Sequence, residues 1–299
     1  MKLYIYNLLR PIIKKIFFSI NRFRLNRDGF ALGYKESEVE IFYNHVIGKA
    51  YNNFLPSRYL GISNFNYQKI LFTLYAANIY AKDKGVSIID IAESYNHELK
   101  EDIKNKAISA TKKKLANIWK TDDVAIFNVF NAVKFKQEVF ESVPFLNAAV
   151  LDVGCSVGAA SWLAAQYGAK SFAVSDMSGS ALFLAEKMLL ELGKDVKVFP
   201  ITDQMIVPDY GEEYYDVVMC LHVFEHTEEP VKLAQSMLRS LRQGGTFVYT
   251  YYEATVADGI NTANGKLLRN KALDFISSQI DINDKFSLNP YSIGKKNIG

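Results

Sequence analysis

The run Gly154-Cys155-Ser156-Val157-Gly158 and the acid at Asp176 are the residues of this chain whose types and spacing best suit a nucleotide. Glycines let a turn take φ > 0 and leave no Cβ where a ligand passes over the backbone. A helix starting just after such a turn points unpaired N–H groups into the same space. Asp176 follows Gly154 by 22 residues and Gly158 by 18. At that separation an acid at the tip of a second strand can accept both hydroxyls of a ribose.

The elements that must position these residues are legible on either side of them. Ala149 to Val153 is a mostly apolar run with the length and branching of a buried parallel strand. Ala159 to Tyr167 reads as a short helix, closed by Gly168 at the C′ position. Ser171 to Ser175 is a second apolar run, and it ends on Asp176. Strand, glycine turn, helix, strand and acid make the first half of a nucleotide-binding βαβ unit.

Three chemistries compete for the turn. As G-x-S-x-G it matches the nucleophile elbow of an α/β-hydrolase with Ser156 as nucleophile, but that elbow needs several preceding strands and the first 140 residues offer none. A nicotinamide-dinucleotide site needs G-x-G-x-x-G, and Ser156 and Ala159 stand where its second and third glycines belong. The third reading fits best. LDVGCSVG resembles motif I of the class I S-adenosylmethionine (SAM)-dependent methyltransferases, usually D-x-G-C-G-x-G, with Asp152 as the motif acid and Gly154 and Gly158 as outer glycines. Ser156 departs from the family's middle glycine.

Further motifs of that family follow in order. Val196 to Pro200 reads as a third strand, followed by Asp203-Gln204, where the family places an acid near the adenine amine. Tyr214 to Cys220 resembles its F-D-V-V strand, and Leu221-His222-Val223-Phe224-Glu225-His226 resembles the V-L-E-H segment of the subgroup containing ubiquinone-biosynthesis O-methyltransferases. Gln243 to Val248 matches the G-G turn into strand five. The resemblance covers about residues 144–256. It implies SAM as cofactor, with Asp152, Gly154, Cys155, Ser156, Gly158, Asp176, Met177, Asp203, Gln204, Cys220 and Leu221 around it.

Methyl transfer from a sulfonium needs an acceptor held in line and water excluded. A neutral hydroxyl or amine also needs a base. His222, just beyond strand four, is the first candidate, followed by His226 and Glu225; the competing roles are shaping the pocket for His222 and building the next helix start for the other two. No metal is required, because the four histidines show no ligand spacing with the cysteines. The function expected is a SAM-dependent methyltransferase acting, on oxygen, on a small-molecule, sugar or lipid-linked acceptor. The alternative is a degenerate SAM-binding or interaction domain, favoured by Ser156 and by the C-terminal region described below.

Composition agrees with an ordinary globular protein: 49% hydrophobic and 22% charged residues among 299. Two cysteines, Cys155 and Cys220, imply no disulfide framework and a reducing compartment, so a cytoplasmic location. The net charge of +3 is uneven. Lys2, Arg10, Lys14, Lys15, Arg22, Arg24 and Arg27 precede the first acid, and the rest of the chain is mildly acidic, which offers no argument for nucleic acid.

Met1 to Arg24 has a helical period, with Ile5, Leu9, Ile12, Ile16, Ile20 and Phe23 on one face and basic residues on the other. Charge interrupts it too often to span a bilayer. Either it packs on its own domain or a partner, or it lies in a membrane interface and makes residues 1–24 a peripheral membrane contact. The expected division is residues 1–34 as this helix and a linker, 35–143 as a helical domain or cap, 144–256 as the SAM-binding core, and 257–299 as a C-terminal extension. The fold class expected is α/β, a Rossmann-like mostly parallel sheet with helices on both faces, behind an α-helical N-terminal region. Helical segments are expected at Glu36–Asn53, Asn66–Lys84, Ser87–Leu99, Glu101–Trp119 and Asp122–Glu141. In the core, Ser178 and Thr227 are expected to N-cap two helices, with Glu228 and Glu229 in the first turn of the second. Beyond strand five, at Thr246 to Tyr252, the chain offers one helix at Gly265–Gln279 and then a polar tail without a convincing strand pair.

Overall fold

A computed structural model describes residues 29, 31–45, 64–95, 102–103, 105–106, 120–131, 135–177, 179–202, 207–251, 262–282 and 291–298. The chain divides into two compact units, residues 1–96 with 129–134, and residues 97–128 with 135–299. The expected helix over residues 1–24 lies outside the described residues.

The first unit holds helices α1 (Glu36–His45), α2 (Asn64–Lys84) and α3 (Ile88–Ser94). Helix α2 buries Ile70, Phe72, Leu74, Ala76, Ala77 and Ile79, residues that fall on every side of it. Two of its buried polar side chains are bonded: Thr73 Oγ1 donates to Lys69 O and Val129 O, and Asn78 Oδ1 accepts from Tyr34 Oη at 2.8 Å. Helix α3 starts on a reciprocal capping box between Ser87 and Asp90. Residues 46–53 of the expected helix Glu36–Asn53 and most of Glu101–Trp119 lie outside the described residues, while the expected helix Ser87–Leu99 stops at Ser94, where Tyr95 turns extended.

The expected helix Asp122–Glu141 is two helices, α4 (Asp122–Asn131) and α5 (Gln137–Glu141). Lys136, just before α5, takes an extended conformation, with ψ at 130°.

In the second unit the strands are β1 (Ala149–Val153), β2 (Ser171–Met177), β3 (Asp195–Ile201), β4 (Tyr215–Cys220), β5 (Leu241–Thr250), β6 (Ile280–Ile282) and β7 (Tyr291–Lys296). They form one sheet in the order β3-β2-β1-β4-β5-β7-β6. The first five are parallel, and β7 runs antiparallel to both β5 and β6. Helices α6 (Ala159–Gln166) and α7 (Ser180–Glu191) pack on each other, α6 against β1 and α7 against β2 and β3. Helices α8 (Pro230–Ser240) and α10 (Arg269–Gln279) pack together over Leu151, Val153, Val218, Phe247 and Tyr249. Between β5 and α10 lies the short helix α9 (Ala263–Leu267). This is the α/β sheet that the strand pattern implies.

Its C-terminal part overturns the expectation of an unpaired polar tail. Strand β7 inserts between β5 and β6, pairing Thr250 with Tyr291 and Thr246 with Lys295. Tyr291 and Ile293 are buried on it, and Lys296 Nζ donates to Leu241 O at 2.7 Å. The segment reads as polar because its outer positions are lysines, while its burial comes from a neighbouring strand about 45 residues earlier. Two capping assignments also change. Helix α7 starts from Gly179, with no side-chain cap, and Ser178 lies outside the described residues. Helix α8 starts with Pro230 at its first position after Glu229, so Glu228 and Glu229 precede its first turn. Thr227 Oγ1 instead accepts from Glu229 N–H at 3.2 Å, tightening the approach.

Candidate active site

The carboxyl ends of parallel strands are where α/β sheets bind ligands. Register sets the tips of β2, β1 and β4 side by side: Val153 pairs with Ser175 on one flank and Cys220 on the other. The glycine turn leaves β1 through backbone with φ of +69° at Gly154, +51° at Ser156 and +80° at Gly158. Ser175 O anchors it, accepting from Gly154 N–H at 2.7 Å and Cys155 N–H at 3.1 Å.

The two outer glycines are required by protein neighbours rather than only by a ligand. A Cβ on Gly154 would lie 2.0 Å from Val223 Cγ2, and one on Gly158 would lie 2.9 Å from Ala185 Cα in α7. The turn therefore fits between the segment after β4 and the helix after β2.

Asp176 closes the turn. Its Oδ2 accepts from Ser156 N–H at 2.6 Å and its Oδ1 from Met177 N–H at 2.6 Å. A carboxylate offers about four lone-pair directions, so each oxygen keeps acceptor capacity for a ligand hydroxyl. Ser156 Oγ is buried and has no hydrogen-bond partner. A buried polar atom of that kind in a nucleotide turn, beside a carboxylate with spare acceptors, fits an adenosyl ligand. Burial raises the Asp176 carboxyl above its usual range, against the two N–H bonds that lower it.

Asp152, at 2% exposure, sits within β1 and accepts from Ser161 Oγ of α6 at 2.6 Å. Burial pushes it up to about 7, the Ser161 bond opposes the rise, and the nearby Asp176 charge adds to it. Cys155 and Cys220 are buried free thiols, and burial pushes both well up, so they serve as small apolar residues. Asp203 and Gln204 lie outside the described residues.

On the other side of the β4 tip, Leu221 is buried and leads to His222, whose φ is +61°. Such backbone in a non-glycine residue is sparsely populated and clusters at functional sites. His222 N–H donates to Thr250 Oγ1 at 2.6 Å, at the end of β5. Its Nδ1 lies 3.8 Å from Glu225 Oε1, an ion-pair separation beyond hydrogen-bond length. Glu225 is buried within the 3₁₀ turn Phe224–His226, while the His222 side chain is 42% exposed. His226 closes the turn by donating its N–H to Val223 O at 2.8 Å. The Tyr291 ring of β7 stands edge-on to His222 at 6.4 Å, and Lys136 Nζ lies 5.8 Å from the centre of that ring.

No sequence motif points to Ser161, Thr250 or Tyr291. A threonine closing the apolar half of β5 is the available signal for Thr250, whereas Tyr291 has none without β7. A cavity of about 440 Å³ lies away from this chemistry, at the amino ends of β2, β3 and β4, beside Tyr210, Tyr214 and Tyr215.

The family profile for the methyltransferase domain matches residues 151–249, from β1 to the penultimate residue of β5. This segment is a methyltransferase domain. The methyl donor of such a domain is SAM. Ubiquinone biosynthesis O-methyltransferase of Nitrosomonas europaea is 38% identical over 96 residues, 32% of this chain and 40% of that protein. Its counterpart in Pseudomonas entomophila is 34% identical over 110 residues, 37% of this chain and 47% of that protein. The chain thus spans less than half the length of these curated relatives. An O-methyltransferase family protein of Burkholderia thailandensis superposes with a TM-score of 0.48 at 15% identity, covering 70% of this chain and 72% of that one. Among the described residues no helix is long and apolar enough to cross a membrane.

Proposed function

We propose that the chain is a SAM-dependent methyltransferase that methylates an oxygen of a small-molecule, sugar or lipid-linked acceptor. The observation that carries this reading is the closure of the glycine turn on the strand-two acid, Ser156 N–H to Asp176 Oδ2, inside a methyltransferase domain. When bound, the donor supplies a methyl group already activated on a sulfonium. The chain's residues bind, orient and move a proton. Asp176 takes the two ribose hydroxyls on its remaining lone pairs, and Ser156 Oγ adds a polar contact in the same turn. His222 accepts the proton of the acceptor hydroxyl, and the Glu225 carboxylate beside Nδ1 stabilises the imidazolium that results.

The test is calorimetric titration of S-adenosylhomocysteine into wild type and Asp176→Ala. Losing the carboxylate leaves ligand hydroxyls unpaired, an expected cost of about 1–3 kcal/mol, or roughly 5- to 150-fold in affinity. Equal affinities, or no binding by wild type, overturn the reading. A second reading, a domain that binds SAM without turning it over, is favoured by the left-handed backbone of Ser156 at the family's glycine position. Release of S-adenosylhomocysteine from SAM in the presence of a hydroxyl-acceptor pool decides between them.

A further inference from the structure

The segment that carries His222 and Glu225 is gripped from outside the matched domain. Thr262, 6% exposed, lies just before α9, and three of its hydrogen bonds matter here. Its N–H donates to Glu225 O at 3.0 Å. Its Oγ1 donates to Thr227 O at 2.7 Å and accepts from Gly265 N–H at 2.8 Å. Thr262 therefore holds the backbone on both sides of His226. Gly265 presses on the same place: a Cβ there would lie 2.6 Å from Glu225 O. Gly265 O in turn accepts from Tyr251 Oη, and Arg269 donates to Tyr251 O, which ties α9 and α10 to the end of β5.

We propose that Thr262 and Gly265 are positioning residues that set the Glu225 carboxylate against the His222 imidazole. The inference rests on the reading of His222 as proton acceptor for its purpose, but its geometry stands without it. The Glu225 side chain is 5% exposed and cannot seek its partner through solvent. Its direction follows from the 3₁₀ turn, and the turn's position follows from the two carbonyls that Thr262 holds. A buried hydroxyl that donates and accepts at once fixes distance in two directions, which an apolar contact does not. Titratable or charged groups near the pair include His226 in the same turn, Cys220 on β4, Tyr251 just after β5, Arg269 on α10, Tyr291 on β7 and Lys136 beside that ring. None of them is a hydrogen-bond partner of the Thr262 hydroxyl.

The chain has four histidines, so the imidazole resonances can be assigned by single substitution and titrated by NMR. Glu225→Gln defines the size of the carboxylate's influence, expected to lower the His222 titration midpoint by about one pH unit. Thr262→Val, which keeps shape and N–H but removes the hydroxyl, is expected to lower it by about half a unit. Thr262→Ser restores the wild-type midpoint, and Gly265→Ala moves it as Thr262→Val does. Melting temperature and S-adenosylhomocysteine affinity, measured on each variant, report folding and the donor site separately. If Thr262→Val and Gly265→Ala lower the melting temperature and leave the His222 midpoint at its wild-type value, the residues are merely structural and the proposal is wrong. If Glu225→Gln itself leaves the midpoint unmoved, the pair does not exist in solution and the proposal falls with it. Neither result bears on SAM binding, which the Asp176→Ala titration tests.

Discussion

The two flanks of the β4 tip are built by different means. On the donor side, Asp152, Gly154, Ser156, Gly158, Ser161, Ser175 and Asp176 come from a stretch of 25 residues and bind one another through backbone and short side chains. On the acceptor side, His222, Thr250, Thr262 and Tyr291 come from four separate elements spread over 70 residues. The first is a local device that one turn can encode. The second exists only when β5, α9 and β7 have docked. A change on the donor side should therefore act on cofactor affinity or on the βαβ unit itself, and a change on the acceptor side should leave cofactor affinity alone.

The strongest way to break this contrast is Gly154→Ala. With φ at +69° and Val223 Cγ2 2.0 Å from the added Cβ, the substitution meets both backbone strain and overlap. It is expected to lower stability by about 3 kcal/mol, read as a shifted denaturant midpoint. Because Val223 adjoins His222, this one donor-side change reaches across; if stability is unaffected, the packing of the two flanks is not as described. Next in size is a crossed pair. Asp176→Ala weakens S-adenosylhomocysteine binding by about 1–3 kcal/mol, whereas Glu225→Gln leaves it within about 0.5 kcal/mol. Equal losses in both variants would erase the distinction.

Asp152 sharpens the comparison through pH. Its folded-state value near 7 lies above the ordinary aspartate value, so the folded protein holds a proton that the unfolded chain releases. That contribution is complete below about pH 4 and is lost as pH rises through 7. From this group alone the unliganded protein is expected to be about 1.4 kcal/mol more stable at pH 6 than at pH 8. Denaturant melts at the two values, with Asp152→Asn as control, measure it; the control removes the difference, and a wild type without it places Asp152 in a more polar site. The smallest expected effect belongs to Ser156→Gly. Relief of a left-handed serine, about 1 kcal/mol, is offset in stability by the added freedom of glycine in the unfolded chain, and loss of the hydroxyl bears on the ligand alone. Stability and S-adenosylhomocysteine affinity should each change by less than about 1 kcal/mol, and a tenfold loss of affinity would make Ser156 Oγ a principal contact.

The same contrast explains what could be read without coordinates. Strand β1 and the helix after the glycine turn are legible nearly to the residue, because an apolar run, two glycines and an acid within 28 positions leave few ways to fold. Asp176 was legible for the same reason. Tyr291 was not: Tyr291-Ser292-Ile293-Gly294-Lys295-Lys296 becomes a strand only because β5 presents a partner edge, and nothing in six residues announces a neighbour so distant. Thr262 likewise looks like an ordinary helix cap for α9, and its second bond, to Thr227 O, depends on where the 3₁₀ turn after β4 has been placed. Lys136 falls inside the one long helix that the pattern suggests, since no glycine or proline marks the extended residue ahead of α5. Non-local pairing, in short, hides what local chemistry displays.

The sheet order β5-β7-β6 has a consequence during synthesis. Strand β6 leaves the ribosome before β7, yet its place is outside it, so it has no hydrogen-bonding neighbour until residues 291–296 arrive. Meanwhile the edge of β5, ten residues long, stands open to any other nascent strand. The nucleotide-binding half can mature while the chain is still growing, because all its strands have already been made. The half that presents His222 beside Tyr291 waits for a late insertion, and through that interval the cell holds a molecule with a finished cofactor cradle and a vulnerable seam.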